Sequence, residues 1–143
     1  MNTQLPSPIA ASLVADDQRL NFLPKYFGSN LMLSGEGQIF SWMRNLCPGY
    51  SGAFWEFYEL SNGGFYAAPS LPGPLRIVVE GNGHKGELSA DACGIVVTLF
   101  ALNTLCCALA ETGQGDHLAD HYYQLREFAL QHTERENILA AID

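Results

Sequence analysis

The sequence predicts an α+β fold, in which an antiparallel β-meander sheet packs with a long buried helix and surrounding helices. Two features lead to this prediction. An Asn-Gly turn at 62–63 is flanked by aromatic runs, which is typical of a β-hairpin. A stretch without charged residues extends from 92 to 110, which is typical of a core helix. The chain of 143 residues has the size of one domain, and we expect residues 1–143 to form it.

The segment before the hairpin is predicted to contain a strand and two helices. It begins with "MNTQLPSPIAASLVADD", which lacks the basic region and long apolar run of a secretion signal, so we expect an ordered strand or arm there. The next residues offer an acidic helix start and a brief helix that Pro24 interrupts. From about Leu31 to Leu46, apolar residues recur at helical spacing until a Pro-Gly pair ends the run.

The hairpin lies in "FWEFYELSNGGFYAAP", residues 54–69. With Asn62 and Gly63 as a two-residue loop, both at positive φ, Leu60 would pair with Phe65. Alternation then assigns the side chains to two faces. One face would carry Phe54, Tyr58, Leu60 and Phe65, and the other Trp55, Phe57 and Tyr66. Because neither face is polar, we expect both to be covered and the rings to belong to the core rather than to a binding surface.

The second half of the chain is predicted to add strands and then helices. "PLRIVVEG" at 74–81 is a third strand, and "KGELS" at 85–89 extends the same sheet. The apolar stretch that follows is long enough to cross a membrane, but polar residues interrupt it and no Lys or Arg flanks it. We interpret it as the central buried helix. Residues 116–131 form another helix, with a short terminal helix possible after it.

Charge and cysteine content limit the classes of function. The net charge is −8, and the seven basic residues are scattered, so we expect no direct binding to DNA. Three basic and five acidic residues occur up to position 72, and four basic and ten acidic residues follow. The acidity therefore belongs to the C-terminal part. The cysteines at 47, 93, 106 and 107 have no C-x-x-C spacing, and we interpret them as reduced, mostly buried thiols of a cytoplasmic protein.

Two motifs could suggest an enzyme. "GNGHKG" at 81–86 matches the dinucleotide-binding pattern, but Ser89 looks like the helix N-cap and no second strand with an acidic end follows, so we interpret the motif as a glycine-rich turn between strands. His117 and His121 lie one helical turn apart, as in some metal sites. A third ligand and a general base are not evident, so a metal hydrolase using His117 and His121 is only an alternative, and we expect no metal, cofactor or catalytic residues.

Three stretches resemble the ArdB/KlcA family of antirestriction proteins. They are "RLNFLPKYFG" at 19–28, "MRNLCPGYSGAFWEFYELSNGGFYAAP" at 43–69 and "GNGHKGELSADACGIVVTLFAL" at 81–102. The resemblance covers nearly the whole chain and is most specific in its central block, although Ala53 stands where relatives are expected to have a second glycine after Gly52. It implies a small cytoplasmic α/β protein, usually encoded on mobile elements such as plasmids, that relieves type I restriction of incoming unmodified DNA. It implies no catalytic residues.

Antirestriction can work by imitation of DNA, so the charge has to be compared with that of a duplex. A duplex carries one negative charge per about 1.7 Å, and a mimic of about 20 base pairs would display several tens of carboxylates. This chain has fifteen acids. We therefore favour a protein contact with the type I restriction complex or an associated host factor, with a partial acidic DNA mimic as the alternative. No membrane partner is expected, and a monomer is compatible with the sequence.

The partner surface is predicted on the outward face of the helix at 116–131. Leu118, Tyr122, Leu125 and Ala129 form its inward stripe. On the opposite side, two exposed apolar residues ringed by acids resemble an anchor with a charged rim. The candidate partner-binding residues are Asp116, Asp120, Tyr123, Glu127 and Leu130.

Overall fold

A long apolar helix, α3 (Ala90–Ala108), forms the centre of the protein, with most of its residues fully buried. The structure is a computed structural model and describes residues 7–143. Over these residues the strands are β1 (Ala11–Leu13), β2 (Trp55–Leu60), β3 (Phe65–Pro69), β4 (Leu75–Val79) and β5 (His84–Leu88), and the other α-helices are α1 (Arg19–Phe27), α2 (Met32–Leu46), α4 (Asp116–Leu130) and α5 (Arg135–Ile142). The predicted α+β class and central helix are confirmed.

Ser89 is the N-cap of α3, which is a core helix. The Ser89 hydroxyl accepts a hydrogen bond from Ala92 N at 3.1 Å, which satisfies one of the free N–H groups of the first turn. Among the described helices, α3 alone is long and apolar enough to cross a membrane, but 61% of its most apolar window is buried inside the protein. Because β3, α2, α4 and α5 all pack on it, α3 is apolar on every side.

The strands form two separate antiparallel sheets rather than one. Strands β1, β2 and β3 form a three-stranded sheet in that order, and β4 pairs only with β5. The prediction that residues 74–81 and 85–89 extend the hairpin's sheet was therefore wrong. The physical reason lies at the outer edge of β3, where Thr98 of α3 accepts the Ala67 N–H at 3.2 Å. Helix α3 occupies the edge that β4 would have needed.

Close contact between α3 and β3 depends on a glycine. A Cβ at Gly94 would lie 2.4 Å from Ala67 O and 2.5 Å from Ala68 Cα. Backbone therefore packs directly on backbone at this point, which no larger residue allows. Every residue of β3 is buried, with α3 packed on it at Ala67 and Ala68 and the α1 rings on Phe65.

The hairpin exists as predicted, but its register differs by one residue. Glu59 pairs with Phe65 and Tyr58 with Tyr66, and Leu60 N donates to Gly64 O at 2.9 Å. The loop thus has three residues, 61–63, with a positive φ at Gly63 and at no non-glycine residue of the described chain, so the positive φ expected at Asn62 was wrong. A one-residue shift moves side chains to the other face.

The corrected faces have different covers. Phe65 shares a face with Phe57, and α1 covers both: the Phe22 and Phe57 rings stack at 4.4 Å, and the Tyr26 and Phe65 rings at 4.5 Å. Trp55, on the same face, is 6% exposed. The expectation of core rings is met by Trp55, Phe65 and Tyr66. Phe57 and Tyr58 are only half-buried, and the expectation was wrong for Phe54, which is 58% exposed.

Helix α1 continues through Pro24 to Phe27, so the predicted interruption was wrong. Proline removes only the hydrogen bond to the carbonyl of Leu20, and the Leu20 side chain is 93% exposed, on the solvent side where water can replace that bond.

The cysteines differ in burial from the expectation. All four are free thiols, but Cys106 is half-buried and Cys107 exposed, because the end of α3 emerges from the core.

Candidate functional site

The outward face of α4 carries the five predicted partner-binding residues together. Asp116, Asp120, Tyr123, Glu127 and Leu130 are all exposed, with Tyr123 at 65% and Leu130 at 44%. On the other side of the helix, Leu118, Leu125 and Ala129 are fully buried. The Tyr123 ring packs edge-on against Tyr122 at 5.5 Å, which orients it on the surface.

The two histidines of α4 have structural partners. His117 Nε2 lies 3.0 Å from the carbonyl oxygen of Phe27, and His121 Nδ1 lies 2.8 Å from Gln124 Oε1. Their rings are 6.3 Å apart and perpendicular. Burial is the main reason that the pKa of His121 is lowered, although the hydrogen bond to Gln124 acts in the opposite direction. Within residues 7–143 there is no group of three or more His, Cys, Asp or Glu placed to hold a metal ion. His117 thus joins α4 to the end of α1, whereas His121 bonds within α4 and packs its ring edge-on against Tyr26 and Phe65.

The glycine-rich motif at 81–86 contains the predicted turn between β4 and β5 and continues into the first three residues of β5. Gly83 has a φ of 74°, which the tight turn requires. The Asn82 side chain donates to the carbonyl oxygens of Ala140 and Ala141 at 3.3 and 2.9 Å. The turn therefore holds the last turn of α5 rather than opening toward a nucleotide.

A network of polar side chains at the start of α3 was missed by the sequence reasoning. Asp91 accepts hydrogen bonds from the Tyr66 hydroxyl at 2.7 Å and from His132 Nε2 at 2.9 Å. Glu134 N donates to His132 Nδ1 at 3.0 Å, so Nε2 carries the proton given to Asp91. The Ser89 hydroxyl bonds to the Glu134 carboxylate. A serine, a histidine and an aspartate thus lie close together, but Ser89 is bonded to Glu134 rather than to His132, which is not the arrangement of a nucleophile and its base.

This network keeps Asp91 ionised although it is partly buried. Burial by itself would raise the pKa of Asp91, but the hydrogen bonds from His132 and Tyr66 outweigh it and hold that pKa below its usual value. The only sequence signal for the network was the N-cap at Ser89, because its long-range hydrogen bonds join residues that are 25 to 45 positions apart in the chain.

A groove on the three-stranded sheet was also missed. It has a volume of about 530 Å³ and lies on the face that carries Tyr58 and Glu56, opposite α1. Its lining residues are Leu13, Glu56, Tyr58, Ala68, Pro69, Ser70, Leu71, Pro72, Ala90 and Asp91. The strands could be predicted, but the face that stays open depended on the corrected register.

A second open region is an apolar groove of about 330 Å³ between α1 and α2. Leu20 and Leu33 line it and are 93% and 74% exposed. Beside it, the Arg19 guanidinium lies 4.5 Å from the ring centres of both Phe54 and Phe57. Exposed apolar residues beside an arginine on aromatic rings are common at protein interfaces.

Comparison with known proteins agrees with this architecture over the full chain. A family model described as antirestriction protein matches residues 48–143. The antirestriction protein KlcA of Escherichia coli is 57% identical over 144 residues, which cover 99% of each chain. The chain belongs to the antirestriction protein family. A second KlcA of Escherichia coli is 55% identical over 143 residues, all of both chains. The ArdB/KlcA resemblance predicted from the sequence is thereby confirmed, and the family is one of antirestriction proteins rather than a known class of enzymes.

A solved structure of this family has the same fold. It aligns with a TM-score of 0.91 and 56% identity over the whole of both chains. It is described as showing that the KlcA and ArdB proteins have a novel fold and antirestriction activity against Type I DNA restriction systems in vivo but not in vitro. An uncharacterized Escherichia coli K12 protein, YafX, is 42% identical over 91% of this chain and 85% of its own.

Proposed function

We propose that this chain relieves type I restriction of incoming unmodified DNA inside the cell. It would act in the cytoplasm, through contact with a protein of the restriction complex or with a host factor associated with it. The observation that carries the proposal is the match, at 56% identity over the whole of both chains, to a structure described as active in vivo but not in vitro.

The difference between activity in the cell and activity in vitro favours contact with a further cellular component over occupation of the enzyme's DNA site. An inhibitor that occupied the DNA site of the enzyme would need only the purified enzyme in order to act. A protein that contacts a further cellular component would lose its effect when that component is absent. The solved relative is described as active in vivo but not in vitro, which fits the second case.

The placement of the acids also favours a protein contact over imitation of DNA. A mimic needs carboxylates spaced like the phosphates, at about one charge per 1.7 Å of duplex axis. Here, the Glu59 carboxylate binds Lys25 Nζ at 2.6 Å and the Tyr26 hydroxyl at 2.5 Å, while Asp91 and Glu134 belong to the network at the start of α3. These carboxylates support the fold, which reduces the charge left for an ordered row.

The outward face of α4 is the contact surface that we propose for this function. Tyr123 and Leu130 would insert into the partner, and the acids beside them would steer the encounter. Tyr123→Ala combined with Leu130→Ser should leave the fold intact, because both side chains are exposed, and should reduce protection. Asp116→Asn with Asp120→Asn should weaken protection more mildly, since rim charges chiefly affect the rate of association.

The test is transformation of cells carrying a type I system with unmodified plasmid, with and without this protein. Protection should raise the number of transformants, whereas modified plasmid, or cells without the system, should give the same number either way. Failure of the wild-type protein to protect at normal expression would refute the function. Full protection by the Tyr123→Ala, Leu130→Ser variant would refute only the α4 surface.

The partner can be identified in the same cells with a tagged protein, by pull-down at low and high salt. Contacts dominated by imitation of phosphates should be lost steeply as salt rises, and apolar contacts should persist. Retention of a restriction subunit or host factor at high salt supports the protein contact. Salt-sensitive capture of the DNA-binding subunit that free DNA displaces would favour the partial mimic instead.

A further inference from the structure

The groove on the sheet face away from α1, where Leu13 and Tyr58 lie, has the features of a binding site for a basic side chain. All three residues of β1 are exposed, and Leu13 is 58% exposed although it stands directly across from Tyr58 in the sheet. The opposite face is covered by the rings of α1. Beside Leu13 lies the groove of about 530 Å³, a volume within the range of small-ligand sites and sufficient for one long side chain.

Part of the groove's lining is apolar and suits a methylene chain. Leu13, Ala68, Pro69, Leu71 and Pro72 contribute this part. Its floor includes Tyr58, whose ring stacks on Tyr66 at 4.8 Å, and Tyr66 stacks in turn on Phe128 of α4 at 5.7 Å. Lysine and arginine bury their hydrocarbon stems along such surfaces while the charged end reaches a polar partner.

Two carboxylates in the same groove supply that polar partner. Glu56 and Asp91 both line it, and no basic side chain is among its described lining residues. Asp91 is fixed in position by Tyr66 and His132 and still has 42% of its side chain exposed. Burial raises the pKa of the Tyr58 hydroxyl, and the charges of Asp91 and Glu56 raise it further. Both carboxylates therefore lie close enough to the Tyr58 hydroxyl to influence its ionisation.

We propose that this groove binds a lysine or arginine side chain of a partner protein, on a segment that lies against the exposed sheet face. The occupant follows from charge complementarity, because two carboxylates in one groove with no basic residue in its described lining favour a cation and repel phosphate. That the partner is a protein rests on the function proposed above. The chemistry of the groove, a cation site with a partly apolar lining, stands independently of it.

A direct test uses the full-length protein and a small probe. The ¹⁵N-labelled protein is titrated with N-acetyl-arginine amide and, separately, with N-acetyl-citrulline amide, which has nearly the same shape but no charge. The arginine probe should shift the amide signals of Leu13, Glu56 and Leu71, and the citrulline probe should not. Glu56→Gln should weaken binding of the arginine probe by about threefold or more. Equal shifts by both probes, or none by either, would overturn the proposal.

A test in cells introduces a lysine into the groove by substitution of Glu56. Glu56→Lys removes one carboxylate and offers a competing cation, so protection of unmodified plasmid should fall by about tenfold or more. Glu111→Lys makes the same change of charge at an exposed loop position and should protect like the wild type. Thermal unfolding of both variants, with Glu56→Gln as the conservative variant, separates loss of contact from loss of fold.

The outcomes distinguish the two proposals. If the wild-type protein protects and folded Glu56→Lys protects equally well, the groove takes no part in the contact with the partner, and the proposed function stands. If the wild-type protein does not protect, the proposed function fails, while the comparison of arginine with citrulline still decides whether the groove binds a cation.

Discussion

Replacement of Gly94 by alanine tests the contact that separates the two sheets. The new Cβ would lie 2.4 Å from Ala67 O and 2.5 Å from Ala68 Cα and Cβ, about 1 Å closer than an ordinary contact. Two of these three atoms belong to the backbone of β3, so they cannot move aside as a flexible side chain would. Helix α3 would have to shift away from β3, which would also stretch the hydrogen bond between Thr98 and the Ala67 N–H.

The size of the effect follows from two opposing contributions. Overpacking of a core costs about 1–3 kcal/mol, and the upper end applies because backbone meets backbone. Alanine in a helix interior recovers about 1 kcal/mol relative to glycine. The free energy of unfolding should therefore fall by about 2 kcal/mol, which corresponds to a decrease in Tm of roughly 4–8 °C for a chain of this size.

The matched control is Gly37→Ala in α2. Gly37 is exposed, and a Cβ built there meets nothing within 4 Å, so the same chemical change should stabilise the protein by about 1 kcal/mol through helix propensity alone. Urea denaturation followed by circular dichroism measures both variants. A Gly94→Ala protein as stable as the wild type, with Gly37→Ala behaving as expected, would refute the close packing of α3 on β3.

Three further predictions concern the core, pH and the C-terminal helix. Trp55→Ala should destabilise the protein by about 3–5 kcal/mol in urea denaturation, since the indole is 6% exposed and donates to the Tyr50 hydroxyl at 3.1 Å; a stable variant that had lost only activity would make the ring a binding surface. Burial chiefly lowers the pKa of His121, so its contribution to stability is complete above about pH 6.5 and declines as the pH falls below that value. His121→Gln should flatten the decline of Tm as the pH falls below about 6.5, and an unchanged decline would assign it to other groups. Asn82→Ala should cost about 1 kcal/mol and speed hydrogen exchange in α5, because it removes the bonds to Ala140 and Ala141; unchanged exchange would contradict that anchoring role.

The helices and the hairpin could be predicted because their signals are local. The uncharged stretch around α3 and the Pro-Gly pair after α2 mark elements through neighbouring residues alone. The hairpin turn was located correctly, but its register depended on whether Ser61 belonged to the loop. The Asn62 side chain donates to Gln124 O at 2.9 Å, a contact with a distant helix that the turn sequence does not reveal.

The candidate sites likewise differ in whether local sequence signals were enough to predict them. The exposed face of α4 follows from helical periodicity, and the structure places all five of its predicted residues in solvent. The groove beside Tyr58 could not be found in this way. With the predicted register, Phe65 would have shared the face of Tyr58, whereas in the structure Tyr66 does. With the wrong register, the sequence could not show which face of the sheet α1 covers and which face carries the groove.

The sequence by itself determined the fold class, the central helix, the hairpin and, through its resemblance, the antirestriction family. These depend on composition, short-range periodicity and motifs, all of which can be recognised without knowledge of distant contacts. Only the tertiary structure decided that α3 occupies the edge of β3, that the strands divide into two sheets and that Asp91 meets His132 and Tyr66. Each of these depends on which distant segment satisfies a particular hydrogen-bonding group or fills a particular space, and competition among distant segments is settled only when the whole chain packs.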